Sequence, residues 1–313
     1  MARPAAGLPA WLAGRGGRNR RLDDRPGHPD RAVRGAGEPV SMTAEVRSVL
    51  VGGQQLRVAV RPGRAAAGGR PPLLLINGIG VSLEMLGPLV RELDPDVDVI
   101  MFDPPGIGGS APPRGPYRVT GLCRLIARML TGLGYDRVDV LGISWGGGVA
   151  QHFAAFWRSR CRRLVLAATA TGALMVPARP SVLVHLVMPP RRQMERAYLY
   201  RVVGGVFGGS ARRHPERVAA AMRDGDWLGS PLGYLYQLAA AAGWTSLPFL
   251  PAIRQPTLIV AGDDDPIIPL ANARLMNLLI PRSRLHVYHG GHLGLATEAA
   301  ELAPVVDAFL TAP

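Results

Sequence analysis

The chain has 313 residues, 48% of them apolar and 19% charged, which suits a large buried core and excludes a disordered chain, a coiled coil or a mini-protein. Its formal charge of +13 comes from 36 basic side chains, all arginine, against 23 acidic ones. The arginines are dispersed and accompany no nucleic-acid motif, so they read as a solvated surface with no nucleic-acid partner.

Residues 1–41 hold eight arginines and four acids among abundant Gly and Pro. With almost no periodic hydrophobicity, they are expected to be a disordered leader or an upstream stretch included by a mistaken start. Pro9 and Gly14 interrupt the weakly apolar Ala5 to Ala13, and no apolar run follows Arg20-Arg21, so no signal peptide is expected. No window reaches the roughly 18 apolar residues of a membrane span. Cys123 and Cys161 lack paired spacing, which points to a reducing compartment and no structural metal. A cytoplasmic protein is the expectation.

Patterned sequence starts at Met42. Val46 to Val51, Gly52-Gly53 and Leu56 to Val60 predict an opening hairpin. Leu73 to Ile76, Val97 to Phe102, Val138 to Ile143, Leu164 to Ala168, Thr257 to Ala261 and Leu285 to Tyr288 are short apolar runs without alternation, as expected of strands buried on both faces of a parallel sheet. Helical periods separate most of them. Leu122, Leu125, Ile126, Met129, Leu130 and Leu133 mark one buried face, and Val149, Phe153, Phe156 and Trp157 another. A repeated strand, helix, strand order predicts an α/β domain over 42–313, with ligands beyond the carboxyl ends of the strands.

The alternation breaks at about 172–251. There Val182 to Met188, Met194 to Val206 and Ala219 to Ala242 look helical between Pro and Gly clusters, and this stretch is expected to form a helical cap. Leu174, Met175, Val176, Leu183, Val184, Leu186, Val187 and Met188 supply either an apolar roof or ordinary helix packing.

The chemistry is sought just after each strand. Gly142-Ile143-Ser144-Trp145-Gly146 is a G-x-S-x-G sequence at a strand-to-helix junction, where side-chain-free neighbours let strand and helix approach while Ser144 faces a cleft. Random shuffling would give about 0.17 copies of this motif, so its specificity comes from context. The partners follow in the order serine, acid, histidine at later strand ends. Ala261-Gly262-Asp263-Asp264-Asp265-Pro266 offers the acid, with Asp265 preferred because Pro266 fixes the turn after it and Asp263 second. His292, after Gly290-Gly291, is the expected base. His286, His289 and His292 recur every three residues, but a strand sets His286 apart from the loop-borne His289 and no carboxylate or Cys follows, so no metal site is expected. His28, His152, His185 and His214 are read as packing or surface histidines. Donors for a tetrahedral oxyanion are expected from the backbone N–H groups of Ile79, in Asn77-Gly78-Ile79-Gly80, and of Trp145. Gly106-Ile107-Gly108-Gly109-Ser110-Ala111 satisfies a dinucleotide fingerprint in letters, but Pro112, Pro113 and Pro116 prevent the helix it needs, leaving a turn.

These segments carry a family resemblance from about Val46 to Leu310. Asn77 to Gly80, Pro105 to Ser110, Gly142 to Gly147, Leu164 to Pro177, Arg254 to Thr257, Ala261 to Leu270 and Gly291-His292-Leu293 resemble an α/β-hydrolase. More narrowly they resemble the intracellular depolymerases of medium-chain poly(3-hydroxyalkanoates). The resemblance implies a mostly parallel sheet with helices on both faces, and hydrolysis of ester bonds between (R)-3-hydroxyacyl units at storage granules in the cytoplasm. It also implies no cofactor, and a triad of Ser144, Asp265 and His292. Ser144 argues against dehalogenase or epoxide hydrolase chemistry, which uses Asp there, and against polymer synthesis, which uses Cys. A carboxylesterase or carbon–carbon bond hydrolase acting on a small apolar substrate is the alternative, and a non-catalytic granule-binding protein a third reading.

Overall fold

The computed structural model describes residues 44–64, 70–186, 196–216, 218 and 230–312. The 1–41 leader, with His28, therefore lies outside the described residues, as do Val187 and Met188 of the expected roof.

Eight strands form one sheet in the order β1-β2-β4-β3-β5-β6-β7-β8. They are β1 (Glu45–Val51), β2 (Gln54–Arg61), β3 (Leu73–Ile76), β4 (Val99–Phe102), β5 (Val138–Ile143), β6 (Cys161–Ala167), β7 (Thr257–Gly262) and β8 (Ser283–Tyr288). The β1–β2 hairpin pairs antiparallel with itself and with β4. Every pairing from β4 across to β8 is parallel.

The uninterrupted apolar runs follow from this topology. In β3, Leu74 and Ile76 pack on one face and Leu73 and Leu75 on the other; Val140 and Leu141 of β5 divide the same way. Because successive side chains alternate between faces, two-sided burial favours apolar residues at nearly every position; Asp139 of β5, buried and paired with Arg162, is an exception. The first face is covered by α2 (Val119–Gly132), α3 (Trp145–Phe156) and α8 (Leu270–Leu279), through Leu122, Ile126, Phe153 and Met276. The opposite face carries α1 (Gly87–Glu92), α9 (Gly294–Thr297) and α10 (Ala299–Thr311), through Leu89, Leu302, Val306 and Phe309. The chain enters and leaves each central strand so that the loops after β3, β5, β7 and β8 share one edge, and all candidate site residues sit there.

Between β6 and β7 the described residues form α4 (Pro180–Leu186), α5 (Arg196–Phe207), α6 (Gly209–Arg213) and α7 (Pro231–Ala241). Of the stretch expected to be helical over Ala219 to Ala242, residues 219–229 lie outside the described residues, and α7 spans Pro231–Ala241. Pro231 occupies the first helical position and the Ser230 hydroxyl caps the helix by accepting from the Gly233 N–H at 3.0 Å. Leu174, Val176, Leu183 and Val184 are exposed, whereas Val182 and Val206 are buried with Ala178 and Ile267 in a small separate core. No described helix is long and apolar enough to cross a membrane.

Candidate active site

Ser144 lies between β5 and α3 with φ 53° and ψ −119°, a backbone conformation that L residues rarely adopt and that projects the side chain away from both elements. The turn is possible because its flanks lack side chains: a Cβ on Gly142 would meet the Gly146 carbonyl oxygen at 2.5 Å and the Gly147 Cα at 2.7 Å. A Cβ on Gly146 would overlap the carbonyl oxygens of Ile76 and Asn77. The Ser144 carbonyl accepts from the Thr169 hydroxyl at 2.6 Å and from the Gly147 N–H at 2.9 Å, which fixes the turn.

The three expected side chains meet in a line. His292 Nε2 is 3.1 Å from Ser144 Oγ, and His292 Nδ1 is 2.8 Å from Asp265 Oδ2. The other Asp265 oxygen accepts from the Ile267 and Ile268 N–H groups at 2.9 and 2.8 Å. That carboxylate side chain is 1% exposed, so its charge is held by backbone dipoles and the imidazole and not by water. With Asp265 accepting at Nδ1, the Nδ1–H tautomer is favoured and Nε2 is left to accept the serine proton.

The two other acids of this loop point elsewhere. Asp263 Oδ2 pairs with His289 Nδ1 at 2.9 Å on the surface, and that hydrogen bond holds its carboxyl below the usual range. Asp264 accepts from the Gly209 N–H at 2.8 Å and pairs with Arg212 at 3.1 Å. His286 lies within β8 while His289 follows it, and no cluster of three metal-ligating side chains occurs among the described residues.

The loop after β3 borders the same serine: a Cβ on Gly78 would lie 3.7 Å from Ser144 Cβ. The Gly78 N–H donates to Asn77 Oδ1 at 2.8 Å, Asn77 Nδ2 donates to the Ser82 carbonyl at 2.6 Å, and the Gly80 N–H donates to Gln237 Oε1 at 2.7 Å. The intervening Ile79 N–H donates to no acceptor among the described residues. Ser144 is the residue before α3, so the Trp145 N–H belongs to the first turn, whose donors have no intrahelical acceptor.

The turn after β4 has no helix. Asp103 lies fully buried beneath it, accepting from the Leu83 and Gly109 N–H groups at 2.8 and 2.9 Å and pairing with Arg57 at 3.2 Å; burial pushes its carboxyl upward despite these partners. Gly106 to Ala111 thus serves as a strand connection, as Pro112 and Pro113 imply.

Several supports were not singled out in the sequence. The Phe207 carbonyl accepts from the His292 N–H at 2.8 Å, and the two rings stack at 6.5 Å between centroids. Tyr288 Oη donates to the Gly291 carbonyl at 2.5 Å, and burial pushes its phenol far up, keeping it a donor. Thr169 and Gln237 also stood unmarked. The signals available were the Gly208-Gly209 pair between α5 and α6, and one glutamine amid the leucines and alanines of α7.

Residues 71–299 match the model of the alpha/beta hydrolase fold family. Over 267 residues the chain is 48% identical to a poly(3-hydroxyalkanoate) depolymerase of Ectopseudomonas oleovorans, covering 84% of this chain and 92% of that protein. It is 27% identical over 244 residues to 3-oxoadipate enol-lactonase 2 of Acinetobacter baylyi, covering 77% and 89% of the two chains. Among solved structures, the enol-lactonase from Burkholderia xenovorans LB400 superimposes with a TM-score of 0.73 at 26% identity, covering 85% of this chain and all of that one.

Proposed function

The chain belongs to the alpha/beta hydrolase family, and from that premise we propose that it is a serine ester hydrolase that cleaves poly(3-hydroxyalkanoate) with aliphatic side chains. Ser144 Oγ attacks an ester carbonyl while His292 Nε2 takes its proton, and Asp265 steadies the resulting imidazolium. The Ile79 and Trp145 N–H groups hold the oxyanion. As the tetrahedral species collapses, His292 returns the proton to the departing hydroxyl end of the polymer and an acyl-serine remains. Water, deprotonated by His292, releases the 3-hydroxy acid or oligomer and restores Ser144. All the bond making and breaking runs through this chain's own groups.

The observation that carries the reading is the continuous relay from Asp265 through His292 to Ser144 at 2.8 and 3.1 Å. The substrate class rests on the 48% identity to the depolymerase. The α4 to α7 insert acts as a cap that admits acyl chains and limits water. The enzyme works in the cytoplasm at the surface of polymer inclusions.

Purified protein should release 3-hydroxy acids from a suspension of medium-chain polymer, and Ser144→Ala should lower that rate by about 10⁶ with the fold intact by circular dichroism. Rapid cleavage of short soluble esters beside an inert polymer would transfer the protein to the small-substrate esterases. Undiminished turnover by Ser144→Ala would remove the nucleophile from the mechanism.

A further inference from the structure

Helix α7 is packed inside out. Gly233, Gln237 and Ala240 are its buried residues, while Leu232, Leu235 and Leu238 are exposed. Burial of leucine is favourable and burial of an amide costs free energy unless it is hydrogen-bonded, so packing alone does not account for this orientation. The surface beneath the helix does, because it offers the Gly106 and Gly80 backbone and the indole N–H of Trp145 as close partners. At the amino end, the Gly106 carbonyl accepts from the Ser230 N–H at 3.0 Å and from its hydroxyl at 3.1 Å. A Cβ on Gly233 would overlap the Gly106 carbonyl.

One turn further on, the fully buried Gln237 reaches two loops at once. Its Oε1 accepts from the Gly80 N–H at 2.7 Å, and its main-chain carbonyl accepts from Trp145 Nε1 at 3.2 Å. Since a backbone N–H only donates, the Gly80 contact also fixes which end of the amide is oxygen. Gly80 directly follows Ile79, and Trp145 directly follows Ser144. The peptides flanking the one that carries the Ile79 N–H are therefore held, Asn77–Gly78 by the Asn77 side chain and Ile79–Gly80 by Gln237, while the same helix residue restrains the indole of Trp145. Gln237 Nε2 is buried without a partner among the described residues. Leaving a buried donor unpaired is unfavourable, and this cost offsets much of what the Gly80 hydrogen bond contributes to stability, so stability alone does not account for glutamine here.

We propose that Gln237 is a positioning residue for ester cleavage. From the cap it holds the loop bearing the Ile79 N–H and the indole of Trp145 in register, so that oxyanion stabilisation requires α7 to be seated on the core. This inference rests on the ester-hydrolase reading given above. A residue that only bound the ground state would alter KM; one that aligns oxyanion donors acts on the tetrahedral state and lowers kcat.

The test compares wild type, Gln237→Leu, Gln237→Met and Trp145→Phe on one soluble short-chain ester. Each is also titrated with an alkyl trifluoromethyl ketone, which forms a tetrahedral oxyanion on Ser144. Both Gln237 variants should lose kcat by about thirtyfold with KM within twofold, and inhibitor affinity should weaken by the same factor as kcat/KM. Their melting temperatures should move little, because loss of the Gly80 acceptor is offset by removal of the unpaired Nε2. Trp145→Phe, which removes the second tie while keeping the backbone donor, should show the same pattern at several-fold and carries the test if the Gln237 variants do not fold. Unchanged kcat, or a loss that follows KM and melting temperature while inhibitor affinity stays at the wild-type value, would overturn the role of Gln237 alone. A wild type inert toward every ester would instead remove the reading beneath it.

Discussion

Asp263, Asp264 and Asp265 are chemically alike and adjacent, so what separates them is where the backbone turns them. Asp265 is 7% exposed and lies against the imidazole, whereas Asp263 binds a histidine whose side chain is 81% exposed. A buried carboxylate on Nδ1 holds the histidine tautomer and balances the positive charge that forms on it, whereas a solvated one some residues away does neither. Asp265→Asn should lower kcat on a soluble ester by about 10³ to 10⁴, and Asp263→Asn should stay within about twofold of wild type. Steady-state kinetics of the two purified variants decides the assignment, and comparable losses in both would defeat it. The sequence narrowed the acid to three neighbours and preferred Asp265 through Pro266, a turn argument. Its two backbone donors, Ile267 and Ile268, lie in the same turn, but the contact with His292 is made by a residue 27 positions on and leaves no local mark.

Helix α3 runs from Ser144 to a cluster of rings. His152, on its third turn, lies 4.5 Å from Phe156 and 5.6 Å from Phe249 between ring centroids, with Trp157 and Trp244 each at 6.3 Å. Its Nε2 is 3.1 Å from Thr120 Oγ1, and Trp244 Nε1 donates to its Nδ1 at 3.5 Å. None of these neighbours carries a charge, and burial lowers the imidazole below its ordinary value of 6.5. The folded state therefore prefers the neutral ring. Stability from this group is present above about 6.5 and is lost as pH falls through that value toward the lower folded one. Protonation at Nδ1 also forfeits the Trp244 bond. Melting temperature should decline from pH 7 to pH 5 in the wild type and decline less in His152→Gln; parallel curves for the two proteins would show that the drop arises elsewhere. The apolar spacing of Val149, Phe153, Phe156 and Trp157 outlined this helix in the sequence, yet Phe156 is 59% exposed. Periodicity reports which residues share a side, not how far the neighbouring helix extends to cover it. The same limit applies to α7, whose leucines stay exposed while Gly233 and Gln237 meet the backbone of Gly106 and Gly80.

Across the whole molecule, the parallel sheet was the most legible feature, because two-sided burial leaves runs such as Leu73 to Ile76 and Val99 to Phe102 with no polar interruption. The β6-to-β7 insert was legible only as a break in that order. Its anchoring to the core through Phe207, Gly209, Ser230 and Gln237 depends on loops distant in the chain. Those anchors reach the histidine loop, the acid loop, the turn after β4 and the oxyanion loop, and each of these residues falls within 77–292. β1, the first strand among the described residues, starts at Glu45 and pairs with β2. A chain starting at Met42 therefore retains every group the mechanism uses and every strand of the sheet. It should match the full-length protein in melting temperature and in kcat and KM on a soluble ester, each within about twofold of wild type given the near-neutral effect of changes away from packed features. The same shortened chain on polymer suspension separates two uses of the arginine-rich leader. An equal rate would mean that catalysis and adsorption both reside in 42–313. A slower rate on polymer with unchanged soluble kinetics would assign the leader to contact with the inclusion surface.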